Sequence, residues 1–470
     1  MLSPRLFRGG AQPLRLRRDI VNHMIAAYSG GALPAAIGIC RVSGPGALAL
    51  AEKIFRPRKG RPMGEGPFSV MRYGEVLDGD GRALDLCLAC CYRAPASYTG
   101  EDMLEIFCHG SQAVAARILE RCMELGAQPA RAGEFTQRAF LAGKMDLIGA
   151  EATADLIEAQ SAAAAKNAAA QLKGGISRQI RALRQGIMDQ LTHFYAVCDY
   201  PDEDLDPFVN RQACQALTER ADEMDQMLAG FERGRTLVQG LPVTILGKPN
   251  AGKSSLLNAL AGYDRAIVTE EAGATRDIVT ETVRCGDTVL RLSDTAGLRQ
   301  AESQAERIGI EKARQSAQQS RLVICVFDGS QPLGQQDREA VEASEGLERI
   351  AVRNKIDLGQ ADQPQLAEQF DRVFSLSAKT GEGVEALCQW LAGLTVQPDQ
   401  ALITSARQAA LLTQAVQSCR LAAESARQGF TADAFLADAE QAVRLLDQAL
   451  GESVGEDIVH GIFSRFCVGK

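Results

Sequence analysis

The stretch Gly247-Lys248-Pro249-Asn250-Ala251-Gly252-Lys253-Ser254 decides how the rest of the chain is interpreted. It has the spacing Gly-x-x-x-x-Gly-Lys-Ser, in which glycines let successive backbone N–H groups curl around phosphate oxygens. Lys253 supplies a positive charge for the terminal phosphates, and the Ser254 hydroxyl suits Mg²⁺. An apolar, strand-like run at 241–246 precedes the loop, and a helical pattern at 255–260 follows it. The stretch therefore predicts a phosphate-binding loop between a strand and a helix.

Four further motifs follow in the order typical of a GTP-binding domain. They are GATRD at 273–277, DTAG at 294–297, NKID at 354–357 and SAK at 377–379. We predict that each lies at the carboxyl end of a strand, which is where open α/β sheets bind ligands. We predict that the nucleotide contacts Asn250, Ala251, Gly252, Lys253, Ser254, Ser255, Thr269, Thr275, Asp294, Thr295, Ala296, Gly297, Asn354, Lys355, Asp357, Ser377, Ala378 and Lys379.

The chemistry of these residue types favours GTP over ATP. The Asp357 carboxylate is able to accept both the ring N–H and the exocyclic amine of guanine, and such a site rejects an analogue lacking them by roughly 10⁴-fold. Thr275 and Asp294 are predicted to join Ser254 around Mg²⁺, Asp294 through water. Leu298 stands where Ras-like enzymes carry a water-orienting Gln. Another group must therefore orient the attacking water.

The pattern of the whole chain predicts a multidomain protein. At 470 residues the chain is too long for one ordinary core. Strand-like runs at 36–42, 68–73, 86–92 and 103–107, with a helical pattern at 113–125, indicate an α+β domain. Alternating strands and helices in the centre indicate an α/β domain with a mostly parallel sheet. We predict a leader at 1–23, an α+β domain at 24–146, an α-helical bundle formed by 147–239 and 398–470, and an inserted α/β domain at 240–397. In the second part of the bundle, helical spacing predicts helices at about 403–427 and 432–466.

Composition narrows the class further. The net charge of -8 gives no global signal for nucleic acid, so any RNA-binding surface must be local. Cys87, Cys90 and Cys91 lie in one apolar run and are predicted to be buried thiols, which indicates a reducing compartment. No apolar run is long enough to span a bilayer. We expect a cytoplasmic bacterial protein that does not bind membranes.

The first 23 residues are basic, with five arginines and one acid before Asn22. An Arg-rich, acid-poor leader is typical of an organelle transit peptide. The alternative is a disordered tail, or a protein that begins at Met24 rather than Met1. We favour the alternative, because the segment lacks an amphipathic period and contains only Ser3 among hydroxyl residues.

From about Met24 onward, the chain resembles the MnmE (TrmE) family of tRNA modification GTPases. Besides the nucleotide motifs, the resemblance rests on IGICRVSG at 37–44, YTGED at 98–102, GEFTQRAF at 133–140, DYPDED at 199–204 and FCVGK at 466–470. The resemblance implies a tetrahydrofolate-binding domain, a helical domain and an inserted P-loop GTPase domain. It also implies a homodimer built through the N-terminal domains.

The resemblance further implies a reaction. With a flavoprotein partner of the MnmG type, such a protein modifies C5 of the wobble uridine in certain tRNAs to an aminomethyl or carboxymethylaminomethyl group. A formyl- or methylene-tetrahydrofolate would supply the one-carbon unit, and glycine or ammonium the amine. The alternative is a regulatory or ribosome-assembly GTPase of the Era/Der kind without modification chemistry. Those proteins lack the N-terminal block and the Cys-x-Gly-Lys terminus seen in this chain.

Matched motif by motif, the resemblance implies roles for further residues. Folate would contact Arg41, Glu105, Lys144 and Lys470, although for each residue alone a surface salt bridge is the alternative. Cys467 matches a thiol suspected of reactivity in the family, with a packed thiol as the alternative.

In the GTPase domain, Glu306 matches the proposed water-orienting acid, and with Lys253 and Asn250 it makes up the expected catalytic set. Asn250 also matches a K⁺ ligand, where the cation acts beside the phosphates much as an arginine finger does. The remaining K⁺ ligands would come from the backbone near Thr269 and Glu271. Ala274 replaces a usual Thr of the family and puts part of the K⁺ shell in doubt.

Overall fold

The computed structural model describes residues 23–199, 207–263, 281–292, 317–395, 400–428 and 432–469. These residues form two compact units. The first contains the described residues of 1–154, 171–224 and 410–470, and the second those of 155–170 and 225–409. No helix in the described ranges is both long enough and apolar enough to cross a membrane.

The first unit contains a seven-stranded sheet with the order β3-β4-β5-β6-β2-β1-β7. Its strands are β1 Ile25–Tyr28, β2 Ala35–Ser43, β3 Phe55–Pro57, β4 Arg72–Leu77, β5 Ala83–Tyr92, β6 Met103–Gly110 and β7 Gln128–Pro129. Neighbours are antiparallel except β1 and β7. The buried thiols of Cys87, Cys90 and Cys91 confirm their prediction.

The second unit contains a six-stranded sheet with the order β13-β12-β11-β8-β10-β9. Its strands are β8 Leu241–Leu246, β9 Glu281–Cys285, β10 Thr288–Leu292, β11 Leu322–Asp328, β12 Arg349–Asn354 and β13 Val373–Ser375. All pairs are parallel except β9 with β10. This confirms the mixed, mostly parallel sheet. The carboxyl ends of β8, β12 and β13 lie at one edge, so the motifs that follow them meet there.

The helices account for most of the remaining described residues. Their bounds are Ala47–Ile54, Gln112–Glu124, Glu134–Leu141, Leu147–Glu158, Ala162–Leu172, Gly175–Asp199, Pro207–Ala229, Phe231–Gln239, Lys253–Tyr263, Gln335–Ala343, Gln365–Gln369, Val384–Ala392, Ala406–Gln428, Ala432–Leu450 and Glu456–Phe463, with short 3₁₀ turns at Met63–Glu65 and Ile356–Leu358. The predicted multidomain α+β, helical and α/β architecture is thereby confirmed.

Two sequence-based expectations about elements were wrong. The strand predicted at 68–73 begins only at Arg72, because Ser69 adopts a left-handed conformation with φ 59° and turns the chain. The helical run predicted at 432–466 is divided at Gly451, where φ is 87°. A Cβ at Gly451 would lie 2.7 Å from the Leu147 Cβ, so close packing requires glycine there.

Helices from distant parts of the sequence pack together within the first unit. Arg184, on the helix Gly175–Asp199, forms an ion pair with Asp447 on Ala432–Leu450. The C-terminal helix Glu456–Phe463 shares a small apolar core with the start of Leu147–Glu158, through residues that include Leu147 and Phe463. The chain therefore returns to its N-terminal half after the central sheet.

A buried ionic network ties the helix Glu134–Leu141 to the first sheet. The Arg138 side chain, 1% exposed, donates to Glu134 Oε1 at 2.9 Å and to Glu101 Oε2 at 3.2 Å, and to the His23 carbonyl at 2.9 Å. Ser43 Oγ donates to the same Glu101 carboxylate at 2.7 Å. Removing one member of such a network leaves buried charges without partners.

We expect Arg138→Met to lower the free energy of unfolding by about 3–5 kcal/mol, because Glu134 and Glu101 would lose their buried cation. Urea unfolding followed by circular dichroism measures the loss. Arg117→Met is the control, because Arg117 pairs with Glu120 at the surface and should cost less than about 1 kcal/mol. Equal losses in the two variants would contradict the assignment.

The free energy of unfolding that Arg138→Met loses should also depend on pH. Burial raises the pKa of Glu134, but hydrogen bonds from Arg131 and Arg138 outweigh it and bring the pKa below 4.5. A carboxylate with a lowered pKa stabilises the fold fully above its unfolded pKa and loses that contribution as the pH falls through its folded pKa. The difference in the free energy of unfolding between wild type and Arg138→Met should therefore become smaller below pH 4.5.

Candidate functional site

The phosphate-binding loop joins β8 to the helix Lys253–Tyr263, and its glycines are required by close contacts. A Cβ at Gly247 would lie 2.3 Å from the Val326 carbonyl oxygen. At Gly252, with φ 97°, a Cβ would lie 2.1 Å from Asn354 Nδ2. Asn250 adopts φ 60°, a left-handed conformation that asparagine tolerates better than most residues, and its side chain is exposed. The loop thus takes the compact curve that the motif predicts.

Lys253 lies within this loop. Its Nζ donates to the Gly247 carbonyl at 2.7 Å and to the Lys248 carbonyl at 2.9 Å. Burial lowers the pKa of Lys253 from its ordinary value of 10.5. The ammonium group is held at the loop where a phosphate would need its charge.

Asn354 connects the phosphate-binding loop to the two motifs predicted to bind the base. Its buried side chain donates from Nδ2 to the Ala251 carbonyl at 3.0 Å. Its Oδ1 accepts from the backbone N–H groups of Lys355 at 2.8 Å and Ala378 at 2.9 Å. One amide therefore fixes three loops in relation to one another.

The predicted base-binding residues are brought together at the same edge. Ser377 Oγ donates to Asp357 Oδ1 at 2.6 Å, which orients a carboxylate that remains exposed. Lys355 has φ 65° and its Nζ lies 2.7 Å from Asp328 Oδ2. Burial raises the pKa of Asp328, but hydrogen bonds from Lys355 and Ser330 outweigh it, so the pKa falls below its ordinary 3.8. Asp328 therefore stays ionised and anchors Lys355.

Two acidic residues of this region were not predicted from the sequence. Asp328 ends β11 and anchors Lys355, and Asp337 accepts from Lys248 Nζ at 2.9 Å while almost fully buried. Asp328 was predictable from the sequence, because it ends an apolar strand that lies between β8 and β12, the two strands whose ends carry motifs. Asp337 lies within a polar helix and was not predictable.

Several predicted site residues lie outside the described residues. They are Thr269, Glu271, Ala274, Thr275, Asp294, Thr295, Ala296, Gly297, Leu298, Glu306 and Lys470. The roles assigned to them in nucleotide, Mg²⁺, K⁺ and folate binding stay predictions.

A second candidate site lies in the N-terminal sheet. Arg41 on β2 and Glu105 on β6 are direct cross-strand partners. The Arg41 Nη2 lies 2.7 Å from Glu105 Oε1, and Tyr92 donates its hydroxyl to Glu105 Oε2 at 3.1 Å. The Arg41 guanidinium also lies 5.5 Å from the ring centre of Tyr98. Both oxygens of the carboxylate are thus held in fixed directions.

Glu105 opens onto a cavity of about 370 Å³, a size typical of small-molecule sites. The lining residues are Ser69, Tyr92, Ala96, Ser97, Tyr98, Met103, Glu105 and Lys144. Lys144 Nζ donates to the Pro95 carbonyl at 2.8 Å. Glu105 and Lys144 were predicted from the sequence, whereas the two tyrosines were not, although Tyr98 lies inside the YTGED motif.

The C-terminal residues reach this same sheet. The Gly469 carbonyl accepts from Ser29 Oγ at 2.7 Å and from Arg41 Nη1 at 3.4 Å. Val468 forms an antiparallel bridge with Ala132. The Cys467 side chain is exposed, so the alternative of a packed thiol was wrong.

The chemistry available at the two sites differs. The loop edge of the second unit offers backbone N–H groups, an ammonium group and an oriented carboxylate, which suit a guanine nucleotide. The cavity of the first unit offers a carboxylate, two phenol rings and a lysine, which suit a flat heterocycle with amine donors and a distant anionic group.

Comparison with known proteins identifies the family. The family described as "GTP-binding protein TrmE N-terminus" matches residues 24–144. The description "MnmE helical domain" matches residues 147–467. Together these two matches account for most of the chain.

Relatives over nearly the full length carry one name, "tRNA modification GTPase MnmE". The protein from Symbiobacterium thermophilum is 40% identical, covering 95% of this chain and 99% of its own. The protein from Roseiflexus sp. (strain RS-1) is 39% identical, covering 92% and 96%. The protein from Carboxydothermus hydrogenoformans is 36% identical, covering 96% and 100%. The chain is a GTPase of tRNA modification and belongs to the MnmE family.

Proposed function

We propose that this GTPase acts with a flavoprotein partner of the MnmG type on C5 of the wobble uridine of certain tRNAs. The product would be an aminomethyl or carboxymethylaminomethyl group whose one-carbon unit comes from a tetrahydrofolate. The observation that carries the proposal is the N-terminal cavity around Glu105, since a nucleotide switch without modification chemistry has no need of a second small-molecule site.

The cavity residues fit a reduced folate. A carboxylate accepts two hydrogen bonds from an aminopyrimidine edge, and the partners of Glu105 hold both of its oxygens in place. Tyr92 and Tyr98 offer apolar faces for a bicyclic ring, and Lys144 offers a charge for the folate tail. When bound, formyl- or methylene-tetrahydrofolate supplies the one-carbon unit. Arg41 would orient Glu105, and Lys470 would complete the cation set.

The described part of the nucleotide site fits the metal ions that the prediction requires. Ser254, the second residue of the helix Lys253–Tyr263, is exposed, and its hydroxyl offers an oxygen ligand to Mg²⁺, with Thr275 and Asp294 as the further predicted ligands. The exposed amide of Asn250 offers an oxygen ligand to K⁺, which would supply positive charge beside the phosphates. Glu306 would orient the water that Leu298 cannot orient.

An exposed apolar sheet face supports the proposed homodimer. Leu88 on β5, Phe107 on β6 and Ile39 on β2 lie side by side in register, opposite the core-facing residues. Leu86 and Ile37 continue the same face, and Ile37 is 64% exposed. Apolar patches of this kind in a monomer mark interaction sites. A second copy presenting the same face would bury it symmetrically.

The function is tested by nucleoside analysis of tRNA from a strain lacking this protein. The C5-modified wobble uridine should disappear and return when the wild-type chain is expressed. Lys253→Ala should fail to restore it, because the phosphate-binding loop loses its charge. Lys173→Ala is the control and should restore it, because Lys173 is exposed in the turn between the helices Ala162–Leu172 and Gly175–Asp199. Intact modification in the deletion strain would favour a GTPase of the Era/Der kind instead.

Folate binding is tested by calorimetry with formyl-tetrahydrofolate. We expect Glu105→Gln to weaken binding at least about tenfold, because the neutral amide keeps one acceptor only and loses charge-assisted hydrogen bonds. The control is Glu75→Gln on β4, whose carboxylate pairs with Arg56 away from the cavity lining. Unchanged affinity in Glu105→Gln would count against the cavity as the folate site.

The dimer is tested by sedimentation equilibrium. The wild-type mass should be twice the chain mass of 50.4 kDa, and Leu88→Arg should reduce it to a single chain, because a charge would be buried in the interface. Leu421→Arg is the control, since Leu421 is exposed on a helix outside the sheet face. A dimeric Leu88→Arg variant would remove this face from the proposal.

A further inference from the structure

The loop between β3 and β4 presents a cluster of cations without counter-charges. Arg58, Lys59 and Arg61 are exposed, and none of the three side chains forms an ion pair within the described residues. Arg56, on β3 next to the loop, differs because it pairs with Glu75. Since the whole chain has a net charge of -8, this unbalanced cluster is a local exception. We call residues 58–61 the basic loop.

A buried arginine holds the basic loop and the segment after it in one conformation. Arg72 on β4, 9% exposed, donates to the backbone carbonyls of Lys59 and Pro62 at 3.2 Å and of Gly66 at 3.4 Å. It also donates to the Arg61 carbonyl. A guanidinium satisfied only by carbonyls fixes the backbone without neutralising the loop. The loop cations are therefore presented on a pre-organised backbone, which lowers the ordering cost of binding.

An aromatic ring lies among the cations. The Arg58 guanidinium lies 5.4 Å from the ring centre of Tyr73, which is itself 49% exposed. Arginine stacked on an aromatic ring presents a flat cation, and exposed aromatic rings are the platforms on which unpaired bases stack. The combination of cations and an exposed ring suits a nucleic acid better than an acidic protein surface.

The same segment of chain reaches the folate cavity. Ser69 lines the cavity and its backbone N–H donates to the Cys91 carbonyl at 2.8 Å. Phe68 precedes Ser69 in the chain, and the Arg93 guanidinium lies 5.1 Å from the centre of its ring. Arg93 is exposed and follows the cavity residue Tyr92. Cations therefore occur at both ends of residues 58–69, from the basic loop to the rim of the cavity.

We propose that the basic loop, Arg58, Lys59 and Arg61, binds the phosphate backbone of the tRNA substrate. The inference deepens the proposed function, because it assigns an RNA contact surface to the domain that holds the folate cavity. Each phosphate neutralised by Arg or Lys releases condensed counterions, so binding here must depend steeply on salt. The position of the loop on the segment that leads to the cavity would place the RNA beside the one-carbon donor.

The test is tRNA affinity as a function of salt. Bulk tRNA from a strain lacking this protein is titrated with the full-length chain, from 50 to 200 mM KCl, by fluorescence anisotropy. The triple variant Arg58→Gln, Lys59→Gln, Arg61→Gln should reduce the slope of log affinity against log salt by about 2–3, at roughly 0.7–0.9 for each phosphate contact. Wild-type affinity should then fall roughly 20- to 40-fold more than variant affinity over this range.

Two controls separate a local surface from net charge. Arg117→Gln, Arg235→Gln, Arg427→Gln removes the same charge from exposed residues that pair with acids, and should leave the slope unchanged. Arg58→Lys with Arg61→Lys keeps the charge and should keep the slope. GTP hydrolysis and the thermal unfolding midpoint should be equal in all variants, since none of these residues belongs to the nucleotide site or the buried networks.

Several outcomes would overturn the proposal. An unchanged slope in the triple variant, or the same loss in the charge-matched control, overturns the proposal. A variant that binds tRNA normally but fails to bind the flavoprotein partner shows that the loop serves a protein, which also overturns it. Absence of any tRNA affinity in the wild-type chain overturns it as well. The nucleoside analysis of the deletion strain would still decide the proposed function independently in each case.

Discussion

The side-chain amide of Asn354 is the interaction on which the nucleotide site depends. It joins the Ala251 carbonyl of the phosphate-binding loop to the Ala378 N–H of the last motif. Because a buried amide left without partners is costly, the two loops have to keep their relative position. The glycine at 252 follows from this arrangement, since any side chain there would collide with the same amide. The phosphate-binding loop and the motifs predicted to bind the base are thus linked through one residue.

In the N-terminal unit, arginine side chains hold neighbouring segments in place through carboxylates and carbonyls. The Arg41–Glu105 pair crosses neighbouring strands, while Arg138 and Arg72 are buried among carboxylates and carbonyls respectively. Each of these three arginines is satisfied locally, whereas the side chains of the basic loop form no ion pair within the described residues. A chain with excess acid thereby keeps a local cluster of positive charge in this unit.

Much of this organisation follows from local sequence patterns. Residues 241–254 place strand, loop and helix correctly because glycine spacing and apolar runs are local signals. The motifs after β12 and β13 meet the phosphate-binding loop because parallel strands end at one edge. Contacts that depend on packing were beyond such reasoning. Ser69 turns the chain where alternating apolar residues indicated a strand, and Gly451 breaks a helix because Leu147, from a distant segment, leaves no room for a side chain.

The residues of the candidate sites also fall into those that local patterns predict and those that depend on tertiary packing. Asp357 is predicted from its motif, because guanine recognition requires a carboxylate there, and the structure shows this carboxylate exposed. The partners that orient Asp357 and Glu105, namely Ser377 and Tyr92, depend on which side chains tertiary structure brings within hydrogen-bond distance. The Lys248–Asp337 pair arises from the contact of a loop with a helix far along the chain and leaves no pattern in the sequence.

The bond between Ser29 and Gly469 spans 440 residues of chain. During synthesis at roughly 5–20 residues per second, about 20–90 s separate the emergence of the two partners from the ribosome. The N-terminal sheet must therefore remain without its last contacts, including the one from Gly469 to Arg41, while the nucleotide-binding unit is made and folds. The Arg41–Glu105 pair therefore gains its contact with Gly469 only after every residue of the nucleotide-binding unit has been made.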